Sequence, residues 1–121
     1  MQIDFAQMFR HDDKAYDVSA GAVVFAEGDV ADGFFVVLSG EVEVSVRGYV
    51  LATLGTGELF GEMALIDERP RSATAVARTD CRLVKVDEKR FLFLVTQTPF
   101  FALSVMRLMA ERLRAMDETV H

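Results

Sequence analysis

Between Gly57 and Ala75 the chain reads GELFGEMALIDERPRSATA, and a few residues in it could do chemistry together. Arg71 offers a planar fork of N–H donors that suits phosphate oxygens. The stretch Glu62-Met63-Ala64-Leu65 is made of good helix formers, enough for a single turn. The first amides of such a turn lack internal partners and present a positive dipole end, a ready anion site. Gly57 can take the positive φ of a tight turn, and Gly61 lets the backbone approach something closely. Pro70 stiffens the approach to Arg71, and Ser72 sets a hydroxyl beside it. Glu62 has the wrong sign to face phosphate; beside an anion site its useful work is to accept a hydrogen bond from a sugar hydroxyl. Phosphate, sugar hydroxyl and an apolar β wall describe a nucleotide pocket. The same residues also read as a surface Glu62–Arg71 ion pair worth about 0–1 kcal/mol, with glycines that only turn the chain. Spacing alone leaves both readings open.

The flanking sequence must supply the wall. Residues 2–10 place Ile3, Phe5, Met8 and Phe9 at loosely helical spacing, which predicts a short helical lead-in over 1–13. From Tyr16 the period becomes two. Strands are predicted in KAYDVSAG, in AVVFAEGD, at Phe34–Leu38, Glu41–Val46 and Tyr49–Leu54, and then in ATAVART and CRLVKVD. Val42, Val44 and Val46 alternate with Glu41, Glu43 and Ser45, as in a sheet with one wet face. Ser39-Gly40 and Arg47-Gly48 supply hairpin turns. Short antiparallel strands at this pace predict a small barrel or jelly roll over 14–87, since such strands must hide their edges. Asp87 is placed to cap a helix in EKRFLFLVTQ, and Thr98-Pro99 opens a second one, so 88–118 is helical. Nothing divides the chain, which is expected to be one domain over 1–121.

The totals narrow the function. With 121 residues, 51% of them hydrophobic and 26% charged, the composition is globular. A net charge of −6 argues against general nucleic-acid binding, which needs a basic face. The single cysteine, Cys81, allows no intrachain disulfide, and strand alternation turns it inward as a core thiol. No run approaches the ~20 apolar residues of a membrane span, and the N-terminus lacks a signal pattern, so a cytoplasmic protein without membrane or nucleic-acid partners is expected. His11 and His121 sit near the two ends, and Asp12-Asp13 reads as a solvated turn. No cluster has metal-ligand spacing, so neither metal nor cofactor nor catalysis is expected.

The central segment resembles the phosphate-binding cassette of the cyclic nucleotide-binding domain family, which includes catabolite activators, protein kinase A regulatory subunits and cyclic-nucleotide-gated channels. Its Phe-Gly-Glu, short apolar helix and Arg followed by a small or hydroxylated residue and Ala are matched by Phe60-Gly61-Glu62, Met63-Ala64-Leu65 and Arg71-Ser72-Ala73. The upstream EGDVADGFFVVLSGEVEV is similar to the family's Gly-Asp, aromatic and Ser-Gly pattern, and the resemblance covers roughly residues 14–115. It implies a β-roll, or double-stranded β-helix jelly roll, with a short N-terminal helix, a short phosphate-binding helix in a cassette at 57–75, and two C-terminal helices. It implies a cyclic nucleotide ligand, with Glu62 on the ribose 2′-hydroxyl and Arg71 on the exocyclic phosphate oxygens. The amides of Gly61, Met63 and Ala64 and the hydroxyl of Ser72 would add contacts, and Val44 would lie against the purine. A residue of the last helix caps the base, with Arg107, Met109 and Arg114 as candidates. In the family, Thr after the Arg favours cGMP, and Ser72 therefore favours cAMP modestly over cGMP.

The last helix carries one apolar stripe at Phe101, Val105, Met109 and Met116 and another at Leu103, Met106, Ala110 and Leu113. It can pack on its own domain or serve as a moving element and partner surface, for an effector protein or a second copy. The family precedent implies that ligand binding shifts this helix. The chain ends at His121 with no effector domain attached, so a stand-alone sensor is expected. The rival expectation is a degenerate domain of the same fold, a protein-interaction module that binds no nucleotide.

Overall fold

In the computed structural model, which describes backbone residues 4–120 and side chains as far as residue 115, the alternating segments form eight strands. They are β1 (Tyr16–Val18), β2 (Val23–Phe25), β3 (Phe34–Ser39), β4 (Val42–Val46), β5 (Tyr49–Leu54), β6 (Leu59–Phe60), β7 (Thr74–Ala77) and β8 (Cys81–Val86). The first pairs with the eighth, the second with the seventh, the third with the sixth and the fourth with the fifth, always antiparallel. A chain that pairs inward in this way is one long ribbon doubled over between β4 and β5. Winding the ribbon so that β3 also meets β8 and β4 also meets β7 gives two four-stranded sheets, β1-β8-β3-β6 and β2-β7-β4-β5. This is the jelly roll expected from the strand spacing.

The doubling point is Arg47-Gly48, where both residues are left-handed, with φ of 52° and 85°. That combination makes a tight hairpin whose twist matches the strands. Glu27 Oε1 accepts from the Arg47 amide at 2.7 Å and ties this tip to the end of β2. The expected hairpin at Ser39-Gly40 is not one. β3 and β4 lie in different sheets, and Gly40, at φ 88°, carries the chain from one sheet to the other. A Cβ there would collide with the Asp80 carbonyl and sit 2.8 Å from Cys81 Sγ. β6 is a further strand, beyond those that the alternation predicts, two residues inside the glycine-bracketed segment.

The inner faces of both sheets meet in a core of Phe25, Phe35, Val37, Val42, Phe60, Ala75, Ala77, Cys81 and Leu83. Each fully buried aliphatic or aromatic side chain contributes about 1.5–3 kcal/mol. Phe25, Phe35 and Phe60 form an aromatic triangle with centroid separations of 5.8, 6.0 and 5.2 Å. Cys81 is buried, its thiol directed at the carbonyls of Glu41 and Thr79, both at 3.2 Å. The lead-in helix, α1 (Ala6–Phe9), buries Ala6 and Phe9 and leaves Met8 exposed, and Phe5 just ahead of it is buried too; Ile3 lies outside the described residues. The Phe5 amide donates to the Gly57 carbonyl at 2.8 Å, joining the lead-in to the segment that holds the candidate site. Asp12 Oδ1 takes the Lys14 amide at 2.9 Å, the turn expected there.

From Lys89 the chain forms a second compact unit. α2 (Glu88–Gln97) starts directly after Asp87, and α3 (Pro99–Val120) has Pro99 at its first position. Thr98 joins them, donating its amide to the Leu94 carbonyl and accepting from the Phe101 amide. The pair turns by 119° at this break, and among the described residues no single helix is long and apolar enough to cross a membrane. Within the pair, Phe91 meets Phe101 at 5.8 Å. The two stripes of α3 differ: Phe101 and Val105 are buried and Met109 half-buried, whereas Leu103, Met106 and Leu113 are exposed. The side chain of Met116 and all of His121 lie outside the described residues.

Candidate functional site

β6 ends at Phe60, and Gly61 follows at φ 78° and ψ 18°, the left-handed entry to a 3₁₀ turn over Glu62–Leu65. The short helical turn read from the sequence is therefore present, in its tighter form. The Ala64 amide closes it on the Gly61 carbonyl at 3.3 Å, a long bond, and the Met63 carbonyl takes the amides of Ile66 and Asp67 at 3.0 and 3.1 Å. Glu62 and Ala64 are half-buried and the Met63 side chain is exposed. The glycine at 61 is required twice over. Besides its backbone conformation, a Cβ there would stand 2.8 Å from Arg71 Nη1 and 3.4 Å from the Phe25 ring.

Arg71 reaches the same place from the far side of the loop. Its amide donates to the Asp29 carbonyl at 2.8 Å, and its own carbonyl accepts from the Gly28 amide at 2.9 Å. Thus the turn after β2 holds the residue like a short strand pair. The side chain is only 5% exposed. Nη1 donates to the Gly61 carbonyl at 3.1 Å and Nη2 to the Gly33 carbonyl at 2.5 Å. The guanidinium carbon lies 4.2 Å from the centre of the Phe25 ring and 5.8 Å from that of Phe35. Nε is buried and has no hydrogen-bond partner. Arg71 is the charged residue buried among the described residues. Burial pushes its pKa below the ordinary arginine value, and the nearby Asp32 and Asp29 oppose that. A buried cation with donors left over is costly, and an anionic oxygen relieves the cost.

The carboxylate of Asp32 lies beside the guanidinium, 3.9 Å from Nη2. Asp32 also pairs with Lys85 Nζ at 2.9 Å, and that hydrogen bond is the main reason its pKa lies below the usual carboxylate value. Ser72 is exposed next to Arg71. Val44, on β4, is half-buried against the core opposite Ala75 of β7, the strand that Arg71 leads into. Thr74 Oγ1 accepts from the Glu27 amide at 3.0 Å and braces the start of β7. Gly61, Glu62 and Arg71 are thus brought into one place, with Met63, Ala64 and Ser72 as their chain neighbours. Of the candidates in α3, Arg107 lies 5.5 Å from the centre of the Phe100 ring, Met109 is half-buried and Arg114 exposed.

A buried arginine bridging a glycine-led helical turn and the start of β3, inside a jelly roll, is the arrangement on which comparison with known proteins bears. The profile of the family described as "Cyclic nucleotide-binding domain" matches residues 17–98. The chain belongs to the cyclic nucleotide-binding domain family. It is 39% identical over 102 residues to the cyclic AMP receptor protein of Thermus thermophilus, covering 80% of this chain and 47% of that one. The crystal structure of the Thermus thermophilus catabolite activator protein superposes with a TM-score of 0.80 at 37% identity, over 88% of this chain and 52% of the other. The cAMP-bound structure of PfPKA-R superposes with a TM-score of 0.72 at 30% identity, over 87% and 36% of the two chains. This chain spans about half the length of the first curated relatives it matches.

In this cyclic nucleotide-binding domain, five residues that surround the Arg71 guanidinium or the carboxylate beside it do not stand out by type or spacing: Phe25, Asp32, Gly33, Phe35 and Lys85. Asp32, Gly33 and Phe35 lie inside ADGFF, which resembles the family pattern, yet nothing local marks the Gly33 carbonyl as the acceptor for an arginine 38 residues away. Lys85 carries no local signal at all; only the β3–β8 register, Phe35 opposite Lys85, brings it there.

Proposed function

We propose that this chain binds a cyclic purine nucleotide, cAMP in preference to cGMP, and acts as a regulatory sensor and not as an enzyme. The observation that carries the reading is Arg71: a guanidinium nine-tenths buried, seated on Phe25, with an unpartnered Nε and the left-handed Gly61 against it. Such a group has been desolvated in advance of an anion's arrival, which is how a protein with net charge −6 can hold a phosphate against its own field. Arg71 pairs with the exocyclic phosphate oxygens, Glu62 accepts from the ribose 2′-hydroxyl, and the amides of Gly61, Met63 and Ala64 and the hydroxyl of Ser72 complete the cradle. Val44 lies against the base. The names of the relatives, a cyclic AMP receptor and a cAMP-bound protein, support cAMP.

Residues 1–121 act as one functional domain in the cytoplasm, and binding is transmitted by α2 and α3. A residue of α3, Arg107, Met109 or Arg114, caps the base, and the exposed stripe of Leu103, Met106 and Leu113 meets an effector protein or a second copy. Isothermal titration with cAMP and cGMP tests the ligand. Arg71→Ala is expected to weaken binding more than tenfold, since removing one partner of a desolvated charge pair costs about 2–5 kcal/mol. Wild-type affinity in that variant removes Arg71 from the site. NMR shift changes confined to residues before 88 on adding cAMP would defeat the signalling role of the helices.

A further inference from the structure

Asp32 stands between two cations at unequal distances. Its Oδ2 lies 2.9 Å from Lys85 Nζ, a hydrogen-bonded pair, while its Oδ1 lies 3.9 Å from Arg71 Nη2, just short of one. The backbone fixes where the carboxylate sits. Asp32 precedes Gly33, whose carbonyl accepts a hydrogen bond from Arg71 Nη2 and whose Cα is so close to β8 that a Cβ would stand 2.7 Å from the Val86 carbonyl. Lys85 arrives on β8 opposite Phe35, and residues directly opposite in an antiparallel pair share a face. Its Nζ lies 6.0 Å from the centre of the Phe35 ring, and the Arg71 guanidinium lies 5.8 Å from the same ring. Both cations therefore flank one ring and compete for one carboxylate.

We propose that Lys85 is a positioning residue for the anion site: by engaging Asp32 it keeps that carboxylate from closing on Arg71, so the guanidinium stays available to a ligand phosphate. The inference rests on the cyclic nucleotide reading given above. A carboxylate and a phosphate seek the same arginine donors. With Lys85 neutralised, Asp32 has one cation left, and closing the gap takes a shift of about 1 Å by a side chain that is 59% exposed. Because Lys85 is itself 41% exposed, its restraint is of surface-pair size, about two- to fivefold in Kd.

The test is a double-mutant cycle read by calorimetry with cAMP: wild type, Lys85→Met, Asp32→Asn and the double variant, each checked for an unchanged unfolding transition. Methionine keeps an unbranched apolar stem and drops the charge. The expected result is about threefold weaker binding in Lys85→Met, binding at least as tight as wild type in Asp32→Asn, and a double variant that matches Asp32→Asn. If Lys85→Met loses the same factor whether residue 32 is Asp or Asn, Lys85 attracts the ligand directly and the inference is overturned. It is overturned equally if Lys85→Met binds as wild type does. A wild-type chain that binds neither cAMP nor cGMP refutes the ligand reading and this inference with it, whereas wild-type binding with an additive cycle refutes this inference alone.

Discussion

Substituting Gly61 by alanine separates what the glycine does for the fold from what it does for the ligand. Two terms enter. The backbone at φ 78° lies in the left-handed region, where a Cβ costs roughly 1–2 kcal/mol. For a chain of this size that corresponds to a fall in Tm of about 3–8 °C. The second term is local: the new Cβ would stand 2.8 Å from Arg71 Nη1, which must withdraw. Its 3.1 Å bond to the Gly61 carbonyl and the guanidinium's 4.2 Å seat on Phe25 loosen together. Losing the aim of one charge-assisted donor costs about 1.5–3 kcal/mol, or roughly tenfold or more in Kd. Gly48→Ala is the matched control, because Gly48 has φ 85° but nothing within 4 Å of its Cβ position. Thermal unfolding and cAMP titration of both variants provide the assay. Gly48→Ala is expected to lose the backbone term alone, Gly61→Ala to lose at least as much stability, and only Gly61→Ala to lose affinity. Wild-type affinity in Gly61→Ala, or an equal affinity loss in Gly48→Ala, would refute the coupling of Gly61 to Arg71.

Glu62→Ala is expected to weaken cAMP more than its 2′-deoxy analogue, and equal losses in competition binding would count against the ribose contact. Gly40→Ala, with φ 88° and a Cβ driven into the Asp80 carbonyl and Cys81, should lower urea stability by more than about 2 kcal/mol; a midpoint within error of wild type would show that the sheet crossing can relax. The Asp32 pKa is depressed chiefly by its Lys85 hydrogen bond. Its contribution to stability is thus present above the ordinary carboxylate value and lost as pH falls through the lower folded value. Carboxyl NMR titration should show the Asp32 midpoint moving up in Lys85→Met, and an unmoved midpoint would place the cause elsewhere.

What was legible from the chain alone was whatever repeats locally. Valines in alternation at 42, 44 and 46 and the left-handed pair at Arg47-Gly48 state their conformation within a few residues. So do Gly61 and the helix formers after it. Gly40 shows where local reading stops. A positive-φ glycine after a strand serves a hairpin and a sheet crossing equally well, and only the distant pairings of β3 with β8 and β4 with β7 decide between them. β6 was hidden because two residues are too few for a period of two to show. At the site, Gly61, Glu62 and Arg71 stood out by type and spacing. The acceptor carbonyl of Gly33, the ring of Phe25 and the Asp32–Lys85 pair did not, since long-range register brings them together and nothing in their own surroundings announces it.

The pairing of β1 with β8, Tyr16 opposite Leu83 and Val18 opposite Cys81, has a consequence beyond stability. Polypeptide enters the barrel and leaves it on adjoining threads, so the two doors of the body open on the same wall. A module built that way can be spliced into many hosts without prying them apart.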